Sequence, residues 1–306
     1  NFAGDPPAPI AGQVWYDSAA FAFQYLSSNP VGSWASGGDL NTARYGLASA
    51  TNAPQTAGLA FAGYTTEAVA VAESYNGSAW SEVADLNTAR NYLAGAGTQT
   101  AALAIGGTAG GNTGENESWN GTSWTEVGDL NTARQALGGA GTSPSAIAFG
   151  GHPTTAVTET WNGTAWTEVG DLNTGRNALG ASGASSTSAL AFGGNPPVTA
   201  ITESWNGTAW TEVGDLNDSR EWISGAGTAT STLGFGGQSP GYTTNTEDWN
   251  GTAWTEVANL ATARAYMGGS GTSASALGAG GGASPTGLAA TEEWSAPTET
   301  AETITD

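Results

Sequence analysis

The chain has 306 residues, of which 27 are acidic and only six basic, for a net charge of −21. So negative a surface excludes nucleic acid and anionic membranes as partners, since both need positive charge. Cysteine is absent and no apolar run is long enough to cross a bilayer, which excludes disulfides, thiolate metal sites and helical membrane insertion.

The first 29 residues stand apart from the rest. They carry two aromatic-rich runs, Val14-Trp15-Tyr16 and Phe21-Ala22-Phe23-Gln24-Tyr25-Leu26. The chain begins at Asn1, so it reads as processed or as one piece of a longer product. An isolated strand follows around Gly32-Ser33-Trp34-Ala35-Ser36, leading into Asp39-Leu40.

From there one phrase recurs. All six basic residues are arginines: Arg44, Arg90, Arg134, Arg176, Arg220 and Arg264, spaced 42–46 residues apart. Five of them close an Asp-Leu-Asn phrase, as in Asp129-Leu130-Asn131-Thr132-Ala133-Arg134, and the sixth reads Asn259-Leu260-Ala261-Thr262-Ala263-Arg264. A charge that appears once per period belongs to the building unit, so the chain is a repeat protein.

The third copy shows the unit. A small-residue run, 135–142, is strand a, and the apolar Ser145–Phe149 is strand b, stopping at Gly150-Gly151. Alternating Ala156–Trp161 is strand c, and Thr164–Val169 is strand d. Asn162-Gly163 between c and d is a hairpin signal. A two-residue turn there would pair Trp161 with Thr164 and Glu159 with Trp166, placing Trp161 and Trp166 diagonally on one face.

A four-stranded sheet of this size cannot bury its own faces. Radial stacking solves that, and the expected fold is all-β: a six-bladed β-propeller with four antiparallel strands per blade. An open solenoid, the rival, would want atypical capping copies. Glycine-rich strand a belongs at the crowded axis, and the tryptophan-bearing strands c and d belong outside. After Arg264 the sixth copy runs through Thr291-Glu292-Glu293-Trp294 and then dissolves into an acidic tail, 298–306, with no fourth strand. The strand around Trp34 is therefore expected to complete the last blade, giving a propeller over 30–297.

The unit resembles the kelch repeat. It shares a glycine pair after strand b (Gly106-Gly107, Gly150-Gly151, Gly193-Gly194, Gly236-Gly237 and Gly280-Gly281, with Ala62-Gly63 in the first copy), a Tyr or Trp, a second Trp, and a segment ending in Arg. The resemblance implies a fold more than a function, because such propellers include enzymes, scaffolds and adhesins. The Gly12-Gln13-Val14-Trp15-Tyr16 segment with Phe21–Leu26 resembles the short hairpins of bacteriophage tail and fibre proteins, which implies that 1–29 is a hairpin extension attaching the propeller to the rest of a particle or protein, and the near-identical Glu-Ser-Trp-Asn-Gly-Thr repeats resemble phage structural proteins. That implies a virion or extracellular location, with host-surface glycan or other particle proteins as partners. A homo-oligomer stays open.

Catalytic chemistry is scarce. His152 is the single histidine, so with no cysteine there is no nitrogen or sulfur metal site, and no cofactor is expected. The copper-radical oxidases of similar propellers need several His, a Tyr and a Cys. Periodic Glu82, Glu126, Glu168, Glu212 and Glu256 offer carboxylate pairs to a glycoside hydrolase, but periodicity points to structure. The arginines are expected to pair with an acid or carbonyl of their own or the next blade at the d-to-a crossover. Trp80, Trp124, Trp166, Trp210 and Trp254 are expected to pack in the wedges between blades. The Asn-Gly-Thr turns match a glycosylation pattern that the hairpin already explains.

The copies differ most in the loop after the glycine pair, which emerges on the same face as the d–a connection. Tyr64, Asn112, His152, Asn195, Gln238 and Tyr242 lie in those loops, with 283–288 as the sixth loop. Together with Trp222, which breaks its copy's pattern, they are the candidate binding surface. The expectation is a non-catalytic binding or structural propeller. An extracellular adhesion or scaffold protein and a glycan-active hydrolase are the alternatives.

Overall fold

The computed structural model describes residues 13–17, 22–29, 31–283 and 286–303. Six four-stranded antiparallel sheets follow one another around an axis. The chain is a six-bladed β-propeller. Blades 1 to 5 span 48–82, 94–127, 138–168, 180–212 and 224–256. Blade 3 shows the pattern: strand a is Gly138–Thr142, b is Ser145–Phe149, c is Thr158–Trp161 and d is Trp166–Glu168.

Strand a lies innermost, packed against strand a of the next blade. Glycine is required by that approach. A Cβ on Gly95 would stand 2.1 Å from the Ser49 carbonyl oxygen of blade 1, and one on Gly225 would stand 2.4 Å from that of Ala181 in blade 4. Outside, where the wedge widens, the strand-d tryptophan lies on the strand-b phenylalanine of the preceding blade. Ring centroids are 5.0 Å apart for Trp124 on Phe61, 4.8 Å for Trp210 on Phe149 and 5.1 Å for Trp254 on Phe192. Every strand-d tryptophan of blades 1 to 5 is buried, as the wedge packing requires.

The c–d hairpin corrects the expected register. Trp161 stands directly opposite Trp166, and Glu159 opposite Glu168. Four residues, 162–165, form the loop. The type I′ turn behind the two-residue expectation needs positive φ at both central positions. Here Gly163 has φ 91° while Asn162 does not enter that region. Instead Asn162 Oδ1 accepts the N–H groups of Thr164 at 2.9 Å and Ala165 at 3.0 Å. The side chain closes the turn and sets the longer loop. The rings still share a face, with centroids 5.5 Å apart.

Blade 6 is built from both ends of the chain. Its strands a to c are Gly268–Thr272, Ser275–Ala279 and Thr291–Ser295, and strand d is Ser33–Ser36. Trp34 pairs with Trp294 in register. It also packs on Phe235 of blade 5 at 5.0 Å and donates Nε1–H to Thr246 Oγ1 at 3.2 Å. Trp210 and Trp254 make the same bond to Thr158 and Thr202, so the seam repeats the other interfaces. The acidic segment does not simply trail off. Thr298–Thr303 forms a strand against Ala22–Asn29, which pairs with Val14–Asp17 in a separate three-stranded sheet.

A closed ring makes Trp34 the counterpart of the other strand-d tryptophans, with its ring half-buried where theirs are buried. Trp124→Ala is expected to cost about 3 kcal/mol, lowering the melting temperature by roughly 6–12 °C in calorimetry, and Trp34→Ala, which removes a half-buried ring, should lower it by a smaller amount. A Trp34→Ala protein that melts like wild type would mean that the N-terminal strand does not hold the ring closed.

Candidate functional site

The arginines come first, because their fate decides what charge the surface can offer. All six side chains are 0–1% exposed. Each pairs with a glutamate on strand c of the blade that follows it: Glu73, Glu117, Glu159, Glu203, Glu247 and Glu292, for example Arg134 to Glu159 at 3.2 Å and Arg220 to Glu247 at 2.6 Å. The same carboxylate accepts from the Asp-Leu-Asn phrase. Glu159 Oε2 takes the Asn131 backbone N–H at 2.7 Å and its Nδ2–H at 2.8 Å. The aspartate of the phrase faces the blade just completed, so Asp171 Oδ1 accepts the Thr158 N–H at 3.1 Å. The leucine between them is buried in the core.

One tripeptide thus bridges two blades, which explains the variants. Asn259 replaces aspartate and still accepts, from Thr246 N–H at 3.0 Å. Ala261 replaces asparagine and keeps only the backbone bond to Glu292, at 2.7 Å. Burial pulls the pKa of Arg44, Arg90, Arg134, Arg220 and Arg264 down, and the facing glutamate opposes that pull. The periodic Glu82, Glu126, Glu168, Glu212 and Glu256 are different residues, all exposed on strand d. Among the described residues, no three His, Asp or Glu side chains gather as a metal site.

The crossover then delivers one residue per blade to the axis. Gly46, Tyr92, Ala136, Ala178, Trp222 and Tyr266 stand two residues past their arginines, and all have left-handed φ between 51° and 61°. Five backbone bonds link the six of them around the axis. Tyr92 N–H donates to Gly46 O at 2.8 Å, Ala136 to Tyr92 at 2.7 Å, Ala178 to Ala136 at 2.8 Å, Trp222 to Ala178 at 2.6 Å and Gly46 to Tyr266 at 2.9 Å. One residue further on, an apolar collar that includes Leu93, Leu137, Ile223 and Met267 lines a throat of about 120 Å³.

Above the collar the mouth is lopsided. Tyr92, Trp222 and Tyr266 cluster on one side, with centroids 5.1 Å apart for Tyr92 and Trp222 and 4.5 Å for Trp222 and Tyr266. Tyr45 adjoins Tyr64 at 5.4 Å, and Tyr242 reaches Tyr266 at 6.4 Å. Opposite, Ala136 and Ala178 leave room. A depression of about 280 Å³ opens there, bounded by Tyr92, Trp222, Tyr266, Gln135, Asn177 and His152.

The loops after the glycine pairs line the same face, because each pairs with the crossover beside it: Gln135 with His152, Asn177 with Asn195, and Glu221 with Gln238. Of the residues picked out in the sequence, Trp222 and His152 bound the depression. Asn195 Nδ2 and Gln238 Nε2 donate to the two oxygens of Glu221, at 2.7 and 2.8 Å. Tyr64 and Tyr242 extend the aromatic cluster. Asn112 Nδ2 instead donates to the His152 carbonyl at 2.7 Å, tying two loops together. In the sixth loop, 284 and 285 lie outside the described residues. The structure adds Tyr45, Tyr92, Tyr266, Gln135 and Asn177, whose signal was variation just past each arginine.

No family model matches the chain, and no curated protein matches it either. Among solved structures it is similar to the protein of "Structure of YjhT", with a TM-score of 0.68, over 86% of this chain and 99% of that one. Sequence identity is 12%, so the likeness concerns the fold alone.

Two measurements check the site's physics. Arg134→Met should cost about 3–5 kcal/mol in chemical denaturation by leaving Glu159 charged and buried, and adding Glu159→Gln should recover part of it. Burial raises the Tyr266 hydroxyl from 10.0 to about 12 and pushes Tyr92 up as well, with neighbouring tyrosines adding to both. The fold therefore favours the neutral phenols. Their contribution is intact below pH 10 and lost as pH rises from 10 towards 12, so the melting temperature should fall over that window. Tyr92→Phe and Tyr266→Phe should flatten the fall.

Proposed function

We propose that the chain is a non-catalytic, kelch-type binding propeller of a bacteriophage tail, fibre or virion surface. Its loop face contacts host-surface glycan or another protein of the particle. One observation carries the reading. Blades that repeat almost residue for residue differ in the loops after the glycine pairs and in the residue that reaches the axis, and these positions share one face. A rigid scaffold with diversity concentrated on one face suits recognition. Non-catalysis draws support from where the reactive groups sit. The arginines are locked into interior clasps, and the periodic glutamates are spread one per blade along exposed strands.

A second reading, a structural module packed into a larger assembly, draws on the three-stranded terminal sheet. Val14, Tyr16 and Phe23 stand on it 56%, 41% and 57% exposed, with Val31 at 48% beside it. The register places Val14, Tyr16 and Phe23 on one face. Apolar surface of this kind marks contact with another protein. The two readings divide the molecule into an attachment end and a contact face.

Glycan-array binding by the isolated chain tests the first reading. Replacing loops 108–116 and 238–245 with the short 64–66 sequence is expected to abolish the signal while Tyr16→Ser/Phe23→Ser leaves it intact. Turnover of any arrayed polysaccharide would instead make the protein a hydrolase.

A further inference from the structure

The ring at the axis poses a question about cost. A left-handed φ is free for glycine but costs an ordinary L-residue about 1–2 kcal/mol. Gly46 shows that the ring accepts glycine, yet five of the six copies use a residue with a Cβ, and three of those are Tyr or Trp. The backbone bonds of the ring explain the conformation and not the side chains. Strain held at equivalent positions, in copies otherwise nearly identical, argues that the rings serve something beyond closure. Their placement agrees. Tyr92, Trp222 and Tyr266 are half-buried around an opening that the small Ala136 and the amides of Gln135 and Asn177 also line.

The lining selects the ligand. An anion is disfavoured, because all six arginines are interior and paired, the chain has no lysine, and its net charge is −21. A cation would want a free carboxylate behind the rings. Glu221 is the nearby acid, but it is only 9% exposed and both its oxygens accept amide hydrogens from Asn195 and Gln238. What is left is uncharged and two-faced: an apolar C–H surface for the aromatic rings, and hydroxyls for amides that both donate and accept. The volume of about 280 Å³ lies just below the range of small-molecule sites, roughly 300–1,000 Å³, and so admits no more than a single ring.

The geometry points to a binding site for one uncharged pyranose unit of a polysaccharide. Its apolar face lies on Trp222 and Tyr266, and its hydroxyls meet Gln135, Asn177 and His152. This rests on the reading of the loop face as a binding surface and names the subsite and its ligand class.

The test titrates the full chain with neutral oligosaccharides (malto-, cello-, galacto- and N-acetylglucosamine series). A sialylated oligosaccharide and tetramethylammonium serve as charged comparators, and calorimetry is the readout. At least one neutral series is expected to bind, with both charged probes at least tenfold weaker. Trp222→Ala should weaken binding at least tenfold in a protein that still folds, since Ala136 and Ala178 already hold that backbone conformation, and Trp222→Phe, which keeps an aromatic face, should restore part of the binding. Gln135→Ala and Asn177→Ala, on half-buried side chains, should change the preference between sugars that differ at one hydroxyl, a readout that a mere plug would not move. Preference for either charged probe overturns the ligand class. Neutral-sugar binding unaffected by Trp222→Ala, Gln135→Ala and Asn177→Ala overturns the subsite but leaves the binding face standing. Silence in both this titration and the array overturns both.

Discussion

The buried carboxylate on strand c holds this molecule in register. It receives an arginine and an asparagine from the connection that arrives from the preceding blade, so each sheet is fastened to its neighbour by a charge neither could bury alone. Removing one partner would strand the other in a low-dielectric wedge, which makes the clasp strict even where its net contribution is modest. Around it the apolar packing does the bulk stabilisation. Tryptophan on phenylalanine fills the wide end of each wedge, and glycine against backbone fills the narrow end.

The clasp also determines where the blades can differ. Once Arg134 is anchored on Glu159, the next two residues must turn sharply toward the axis, and the inter-blade ring of backbone bonds draws Ala136 into a left-handed conformation. Every copy repeats this, so each blade presents one residue at the mouth whatever its identity. The scaffold is six-fold and the mouth is not: Tyr92, Trp222 and Tyr266 crowd one side, and alanines open the other. Asymmetry written onto a symmetric frame gives a shaped site without disturbing the blades that carry it. The terminal sheet lies outside that symmetry and turns Val14, Tyr16 and Phe23 to solvent while Trp15 is buried.

Much of this was legible from residues spaced at a fixed period. The six arginines count the blades, the glycine pairs end strand b, and the missing fourth strand of the last copy points to Trp34. The partner of the arginines was equally periodic, since Glu117, Glu159 and Glu203 each precede the strand-c tryptophan by two residues. It was overlooked because the exposed Glu126, Glu168 and Glu212 share the same period, and period alone does not tell a buried acid from a solvated one. The c–d register was misread for a local reason. Asn-Gly suggested a two-residue turn, whereas the Asn162 side chain closes a four-residue loop.

Sequence by itself determined the fold, because blade number, strand order and closure follow from local patterns repeated along the chain. Only the tertiary structure decided which side chains meet: Arg134 with Glu159, Glu221 with Asn195 and Gln238, and Tyr92 with Trp222 and Tyr266. Tyr92 and Trp222 are separated by three blades of chain and joined only because the ring closes. A repeat records how each blade is made, while the curvature that brings distant blades to one axis arises when all of them pack at once.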